Sequence, residues 1–249
     1  MQTVGGEAFK GDSHVGRIKI ESGGCSYERT YGNPMEVFSG CGTEAEDGLE
    51  IEFGKKVKEI PYLNLSGTGL RRTSLSEGIE GIGVAAFYEC ANLEEIHLPE
   101  SIKEIKDRAF NGCKKLKEVV LPSGVENVGG DAFSNCTNIR KVTVKGNITS
   151  GGAAFVNAGS EVTDSEGNNK GLEVIYAPGV TTIGTSLMRN SLIREVNLPE
   201  GVEKIAKYAF SGCSKLERIE LPESMQTVGG EAFKGDSHVG RIKIESGGC

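Results

Sequence analysis

Five of the seven cysteines in this chain recur three residues after a phenylalanine, namely Cys41, Cys90, Cys113, Cys136 and Cys213. If successive segments stack, consecutive members of this series lie about 5 Å apart, within the Cα separations of about 4.4 to 6.8 Å that a disulfide spans. Disulfides are therefore one interpretation, and buried free thiols at the bend of each segment are the favoured one. A metal site is disfavoured because no Cys-x-x-Cys or Cys/His pairing occurs.

The histidines do not indicate catalysis. His14, His97 and His238 do not stand in a recognisable nucleophile arrangement. Glycine-rich stretches such as Val4-Gly5-Gly6 lack the Gly-x-Gly-x-x-Gly and Walker patterns of nucleotide-binding loops. We therefore expect a protein that is not an enzyme and that binds no cofactor and no metal.

Two acidic, polar inserts are the other candidates for chemistry, Gly42–Gly48 and Asp164–Gly171. The second has oxygen ligands at alternate positions, as a calcium loop does, but it lacks the closing bidentate Glu of an EF-hand. A solvated hairpin tip is favoured, and calcium binding is the alternative. Because both inserts precede similar strands, Leu49–Phe53 and Leu172–Tyr176, we expect them to project from the same edge, where loops often carry specificity.

A fixed period positions all these groups. Phe87, Phe110 and Phe133 are 23 residues apart, and the cysteines follow in step. Aligned on the last apolar residue of each predicted strand, nine such rungs make one period of 224 residues. Repeats of this size are typical of solenoids. We expect a single solenoid over residues 1–249, with long inserted rungs at about 21–53 and 145–176.

The two ends of the chain are identical over 25 residues, since 1–25 recurs as 225–249. We expect each end to be an internal rung of a longer array, of which this chain is a fragment. Cys25 and its copy Cys249 fall outside the cysteine series. Exposed thiols are expected there.

One rung shows the expected local structure. Ile96 and Leu98 alternate with Glu95 and His97, which predicts a short strand with one buried face. Pro99 lacks a ladder donor and should end the strand. The Ala-Phe pair of each rung predicts a turn or a single helical turn on the opposite side. Because one rung cannot bury enough apolar surface to be stable alone, the rungs must stack.

The run from Leu98-Pro99 through Ile102, Ile105 and Ala109-Phe110 to Cys113 resembles the BspA-like leucine-rich-repeat family. It recurs with the same spacing as Leu198-Pro199, Val202, Ile205, Ala209-Phe210 and Cys213. The resemblance covers most of the chain. It implies a secreted or surface-attached bacterial or protist protein, of the adhesin type, whose repeats bind other proteins or matrix.

Some rungs depart from this pattern. The departures are Asp12, Asp236 and Ala158 in place of the cysteine, and the rungs around Tyr62 and Leu187, which lack Ala-Phe. The expected fold class is an α/β, β-rich solenoid: a right-handed leucine-rich-repeat array with one parallel β-sheet and about nine to ten rungs of mostly 23 residues. Such repeats use an Asn or Cys ladder at their bend, which favours free thiols over disulfides.

Composition limits the class of partner. A net charge of −7 argues against nucleic acid, whose binders cluster Lys and Arg. No stretch approaches the 18 or so apolar residues of a membrane span. The segment 2–7 has neither the basic start nor the apolar core of a signal peptide. From the resemblance we nevertheless expect an extracellular or cell-surface location.

The outward side chains of the sheet are the predicted contact surface, and period-two alternation identifies them. The candidates are Arg72, Glu95, His97, Glu118, Val120, Lys141, Thr143, Glu195, Asn197, Arg218 and Glu220. No aromatic residue is among them, which favours a protein ligand over a sugar. Their mixed charge suits a polar protein interface.

Three hypotheses for function follow. The first is a non-enzymatic module that binds a host or neighbouring-cell protein through the sheet or the insert loops. The second is a structural spacer with no ligand of its own. The third is head-to-tail self-association through the repeated ends, since open repeats can stack into filaments.

Overall fold

The computed structural model describes residues 2–4, 11–22, 25–27, 38, 40–61, 65–236 and 241–244. Over these residues the chain coils into stacked rungs, and the predicted β-rich solenoid with parallel strands is confirmed. None of the described residues is helical, so turns take the place of the helical turn that the sequence allowed. The described part is therefore a β-solenoid without the α component of the expected class.

Twenty strands form the rungs. In chain order they are β1 (Gln2–Val4), β2 (Arg17–Ser22), β3 (Cys25–Tyr27), β4 (Leu49–Lys56), β5 (Glu59–Ile60), β6 (Leu70–Leu75), β7 (Gly81–Ile82), β8 (Glu95–His97), β9 (Glu104–Ile105), β10 (Glu118–Leu121), β11 (Asn127–Val128), β12 (Lys141–Val144), β13 (Ser150–Gly151), β14 (Leu172–Tyr176), β15 (Thr182–Ile183), β16 (Ile193–Asn197), β17 (Lys204–Ile205), β18 (Arg218–Leu221), β19 (Thr227–Val228) and β20 (Arg241–Ile244).

The main side of the solenoid consists of the ten even-numbered strands, which form two parallel ladders. The first ladder contains β2, β4, β6 and β8, and the second contains β10, β12, β14, β16, β18 and β20. Registers follow the sequence repeat, since Glu118 stands beside Lys141 and Val119 beside Val142. Within the described part, no ladder joins β8 to β10. The single sheet that the sequence predicted is therefore divided into segments of four and six strands.

A set of shorter strands, of two or three residues each, lines the next side. The strands β5, β7, β9, β11 and β13 form one parallel ladder, β15, β17 and β19 form another, and β1 pairs with β3. In β9, Glu104 faces solvent and Ile105 is buried. A glycine follows several of these strands because the backbones approach closely there. At Gly129, an added Cβ would clash with the backbone nitrogen of Asp107.

Phenylalanines stack along the core. The rings of Phe87, Phe110, Phe133 and Phe155 lie with centroids 5.0 to 5.1 Å apart and with planes within 7° of each other. All four side chains are buried. The spacing matches the distance between neighbouring strands, so that each rung repeats the position of the ring before it. Apolar contact between rungs therefore continues through the middle of the solenoid.

The repeated cysteines form a column of hydrogen bonds along the bend. The thiol of Cys113 donates to the carbonyl of Phe87 at 3.3 Å, and the thiol of Cys136 donates to the carbonyl of Phe110 at 3.1 Å. The five cysteines of the series are free and buried. Burial raises the pKa of the Cys213 thiol to about 12. Of the three interpretations, free thiols, disulfides and a metal site, the structure agrees with free thiols. The side chains of Cys25 and Cys249, which were expected to be exposed, lie outside the described residues.

Rungs without Ala-Phe or Cys keep the same geometry with other residues. The Cys90 thiol donates to the carbonyl of Leu65 at 3.7 Å, as other thiols do to phenylalanine carbonyls of the preceding rung. The Thr68 hydroxyl, at the bend where other rungs carry a thiol, donates to the same carbonyl at 2.8 Å. The Cys213 thiol donates to the carbonyl of Met188 at 3.1 Å, as other thiols do to phenylalanine carbonyls, and the Ser191 hydroxyl lies 3.4 Å from the Cys213 sulfur. Leu65 and Met188 therefore take the place of the phenylalanine.

Asp236 places a carboxylate in the bend column. Both of its carboxylate oxygens are screened from solvent, and neither has a hydrogen-bond partner among the described residues. Desolvation by burial is the main cause that raises the pKa of Asp236 to about 6. A thiol or hydroxyl at this position can donate to the preceding carbonyl, whereas a carboxylate can only accept. The protonated form of Asp236 therefore suits the column better.

The ladder thiols should be inert in the folded protein. In the variant C25S/C249S, a thiol reagent such as DTNB should label fewer than about one cysteine per chain under native conditions, because burial disfavours the thiolate. After unfolding in guanidinium, the five column cysteines should all react. A smaller number after unfolding would reveal a disulfide and contradict the free-thiol assignment.

Loss of one stacked ring should be costly. We expect Phe110→Ala to lower the free energy of unfolding by about 3 to 5 kcal/mol, since it removes a buried ring and leaves a cavity between two others. The control is Phe233→Ala, because the half-buried Phe233 ring stacks on Phe210 at one face, whereas Phe110 stacks on a ring at both faces. It should cost about half as much. Urea unfolding followed by circular dichroism measures both. Equal losses at the two positions would argue against the stack as a main source of stability.

Asp236 should make stability depend on pH. Its pKa is raised in the folded state, to about 6, from about 3.9 in the unfolded chain. Folding therefore favours the protonated form, and stability should fall as the pH rises from about 4 to about 6. Above that range, Asp236→Asn should be more stable than the parent by about 1 kcal/mol, a value reduced for partial solvent screening.

The matched control is Glu104→Gln, which changes an exposed carboxylate on β9. Urea unfolding at pH 4 and pH 7.5 should show the benefit of Asp236→Asn at the higher pH alone. The prediction fails if the two pH values give the same difference in the free energy of unfolding.

Candidate functional site

The outer face of the main sheet carries all the predicted contact residues. Eight are exposed (Arg72, Glu95, His97, Glu118, Val120, Asn197, Arg218 and Glu220), and three are half-exposed (Lys141, Thr143 and Glu195). Each alternates with a buried residue of the same strand, as in β10, where Val119 and Leu121 are buried. Because the strands are parallel and in register, these side chains form two rows across the sheet.

Charges in these rows pair with each other near both ends of the face. Arg17 lies 3.0 Å from Glu52, and the Arg218 guanidinium is hydrogen-bonded to Glu195. The bond to Glu195 also raises the pKa of Arg218. Exposed pairs of this kind contribute little to stability. They do neutralise the charge that a partner would otherwise meet.

The middle of the face is different. Arg72, Glu95, Glu118 and Lys141 form no ion pair with any other described residue. They occupy one row on neighbouring rungs, with Arg72 beside Glu95 and Glu118 beside Lys141. Val120, in the second row, is among the few large apolar side chains that are exposed, at 41%. The middle of the face therefore offers unpaired charges of both signs around an apolar residue.

A cleft of about 630 Å³ opens on this face where the sheet is divided. Its walls come from the rungs of β8 and β10. The lining residues are Glu94, Glu95, Ile96, His97, Leu98, Lys117, Glu118, Val120 and Lys145. This volume lies within the range of small-ligand and side-chain pockets. The sequence repeat contained no sign of it, because both rungs follow the 23-residue pattern.

The two inserts lie at the end of the sheet where the strands begin. The first borders a groove of about 340 Å³ together with Glu50 and Arg72, and the second borders a groove of about 580 Å³ together with Arg140 and Glu173. Both grooves thus open at the same edge, as expected. The longer rung was predicted to extend over 145–176. In the structure its extra residues begin after Ala158, in the bend column, and end at β14.

The second insert is a hairpin tip in which the Asp164 carboxylate stabilises the turn of the hairpin itself. An antiparallel bridge between Thr163 and Asn169 closes the hairpin. One oxygen of Asp164 accepts hydrogen bonds from the N–H groups of Glu166 and Asn168, each at 2.9 Å. These bonds lower the pKa of Asp164. A carboxylate used in this way favours the solvated tip over a calcium site. Among the described residues, no group of three or more side chains could hold a metal ion.

One constellation was missed from the sequence. The Ser13 hydroxyl lies 3.1 Å from the His14 ring and 3.2 Å from Glu44, and His14 lies 3.4 Å from Glu44. The residue types are those of a hydrolytic triad, but in a triad a buried carboxylate orients the ring. Here the side chains of His14 and Glu44 are 82% and 65% exposed. Nothing in this geometry orients the hydroxyl toward a substrate.

No helix in the described part is long and apolar enough to cross a membrane. Among curated protein sequences, none is significantly similar to this chain. A family model for the BspA type leucine rich repeat region matches residues 34–161 and 167–247, in six copies. These ranges include the first insert, part of the second insert and nearly all of the described rungs.

Several solved structures are similar in fold. A Treponema pallidum leucine-rich-repeat protein is 22% identical, with a TM-score of 0.46, over 82% of this chain and 78% of that one. A leucine-rich cell surface protein from Faecalibacterium prausnitzii is 17% identical, with a TM-score of 0.37, over 93% and 83%. The pneumococcal vaccine antigen PcpA is 16% identical, with a TM-score of 0.36, over 78% and 50%.

The family model covers most of the chain, and the rungs that it matches carry the stacked phenylalanines and the column of thiols. The chain therefore belongs to the BspA-type leucine-rich-repeat family.

Proposed function

We propose that this chain is a non-enzymatic protein-binding module of a secreted or cell-surface protein, and that it binds its partner through the outer face of the main sheet. The proposal rests on a difference in charge pairing between the ends and the middle of this face. Charges pair with each other near its ends, whereas Arg72, Glu95, Glu118 and Lys141 are left unpaired at its middle. Unpaired charges on a rigid surface are available to a complementary partner.

The scaffold supports this use. Each of the four charged residues extends from a strand whose inner side chains are buried, for example Thr73 in β6 and Val142 in β12. Their backbone positions are therefore set before a partner arrives, which lowers the entropy lost on binding. The spacing of about 4.8 Å between strands suits side chains of a protein surface. The absence of aromatic residues from the predicted set makes a sugar ligand less suitable.

Location at the cell surface has support from the family and from one relative. The Faecalibacterium prausnitzii protein is a leucine-rich cell surface protein, and this chain carries a BspA-type repeat region. The partner would be a host protein or a protein of a neighbouring cell.

A structural spacer is the second candidate. The segment 1–25 recurs unchanged as 225–249, which favours a unit that extends an array by repetition. A spacer needs no complementary surface, so charge changes on its outer face should leave its function intact. Head-to-tail association through the repeated ends would also extend an array without a ligand. Analytical ultracentrifugation tests it, since a sedimentation coefficient that does not change with protein concentration would contradict it.

Charge reversal separates the first two candidates. We expect R72E/K141E to reduce binding of the fluorescently labelled protein to epithelial cells or neighbouring bacteria by about tenfold or more, because two unpaired cations of the face become anions. The matched control K114E/K204E makes the same change in net charge at exposed positions away from the outer face. Equal binding by both variants and the parent would favour the spacer.

A further inference from the structure

The division of the main sheet is a local opening between two rungs. In neighbouring rungs, the residue before the strand donates its N–H to the rung before, from Glu94 to Arg71 at 3.0 Å and from Arg140 to Lys117 at 2.8 Å. The corresponding bond from Lys117 to Glu94 is not formed. Together with the lost ladder between β8 and β10, this leaves the cleft without the hydrogen bonds that close the other rungs.

The opening affects one side of the solenoid. Behind it, the rings of Phe87 and Phe110 remain 5.0 Å apart, and β9 pairs with both β7 and β11. At the sheet, by contrast, the core is partly uncovered. Ile96 is 8% exposed, whereas the equivalent Val119 on the next rung is 1% exposed. Leu98 is half-exposed, as Leu75 and Leu198 are at the same position of other rungs. The cleft is therefore a wedge with an apolar floor.

Carboxylates on the two rungs distinguish the wedge. Prolines do not, because Pro99 and Pro222 follow β8 and β18, and both of these strands keep their ladders with the preceding rungs. Glu95 and Glu118 occupy equivalent positions on the two rungs, and neither has a cation within salt-bridge distance. Like charges on neighbouring strands repel. Where Glu173 stands beside Glu195, the ladder is intact, and Arg218 neutralises Glu195.

The other charges of the cleft are mostly engaged. Glu94 lies 3.1 Å from Arg71, and Lys145 lies 3.1 Å from Glu100. Lys117, at the rim, forms no ion pair with a described residue. The unpaired charges of the cleft are thus two carboxylates and one ammonium. The carboxylates are the pair that face each other across the opening.

We propose that this cleft receives a partner segment in which an arginine or lysine stands beside an aliphatic residue. The cation lies between Glu95 and Glu118, and the aliphatic side chain covers Ile96, Leu98 and Val120. The inference rests on the proposed function, because it identifies the chemistry of the partner for the same face. A bound cation removes the repulsion that keeps the rungs apart, and the aliphatic group restores cover to the apolar floor.

A short peptide tests this chemistry on the full chain. The probe is Ac-Leu-Arg-Leu-NH2, titrated into isotopically labelled protein and followed by the amide signals of Ile96, Lys117 and Val120. We expect saturable shifts with a Kd on the order of 1 mM. The neutral peptide Ac-Leu-Gln-Leu-NH2 and the variant E95Q/E118Q should each weaken binding by about tenfold, since both remove the charge attraction.

The matched control is E173Q/E220Q, which neutralises two exposed carboxylates of the same face where the ladder is intact. It should bind the arginine peptide as the parent does. Both variants change exposed side chains, so both should fold. Amide hydrogen exchange at Lys117 should slow in E95Q/E118Q alone, because the repulsion across the wedge is gone.

The outcomes separate this inference from the proposed function. Equal affinity for the arginine and glutamine peptides, or equal effects of the two carboxylate variants, would overturn the assignment of the cleft. If R72E/K141E abolishes cell binding and E95Q/E118Q leaves it unchanged, the proposal for the cleft is overturned, whereas the proposal that the outer face binds a partner is retained. If neither variant affects cell binding, the proposed function fails as well. Dimerisation that E95Q/E118Q abolishes would put a second copy in the cleft and overturn a foreign partner.

Discussion

Contact between successive rungs is the interaction on which this structure depends. A segment of 23 residues buries too little apolar surface to offset its own loss of conformational entropy. Stacking supplies what each rung lacks: phenylalanine rings about 5 Å apart in the core, parallel ladders on two sides, and hydrogen bonds from buried thiols to carbonyls of the preceding rung at the bend. The cysteines are thus part of the scaffold and not of a reactive site.

The same stacking arranges the outer surface. Residues 22 or 23 apart in the chain become neighbours, so each outward position of the repeat becomes a row of side chains. Opposite charges on neighbouring rungs neutralise each other where their side chains meet, as those of Arg218 and Glu195 do. Where the unpaired carboxylates of Glu95 and Glu118 become neighbours, the ladder is lost, although the core behind it remains packed. A defect on one side of a solenoid can therefore form a cleft without unfolding the rungs.

Much of the fold could be predicted from the sequence because each rung repeats one local pattern. The alternation in β8 and β10, the bend cysteines and the same-edge inserts all followed from spacing. Other features could not be predicted. Leu65 and Met188 were not recognised as equivalents of phenylalanine, because a buried position accepts any apolar residue of similar size. The triad-like contact of Ser13 with Glu44 joins residues of different rungs, which the local pattern does not encode.

By itself, the sequence determined the period, the inward and outward faces and the family, since these depend on which residue types recur and how far apart. Only the tertiary structure decided which outward charges pair, that Glu95 and Glu118 remain unpaired, and that the sheet is divided between them. The physical reason is distance. Ion pairs and ladder hydrogen bonds form or fail within an ångström or so, and such differences between stacked rungs are set by packing across the whole solenoid.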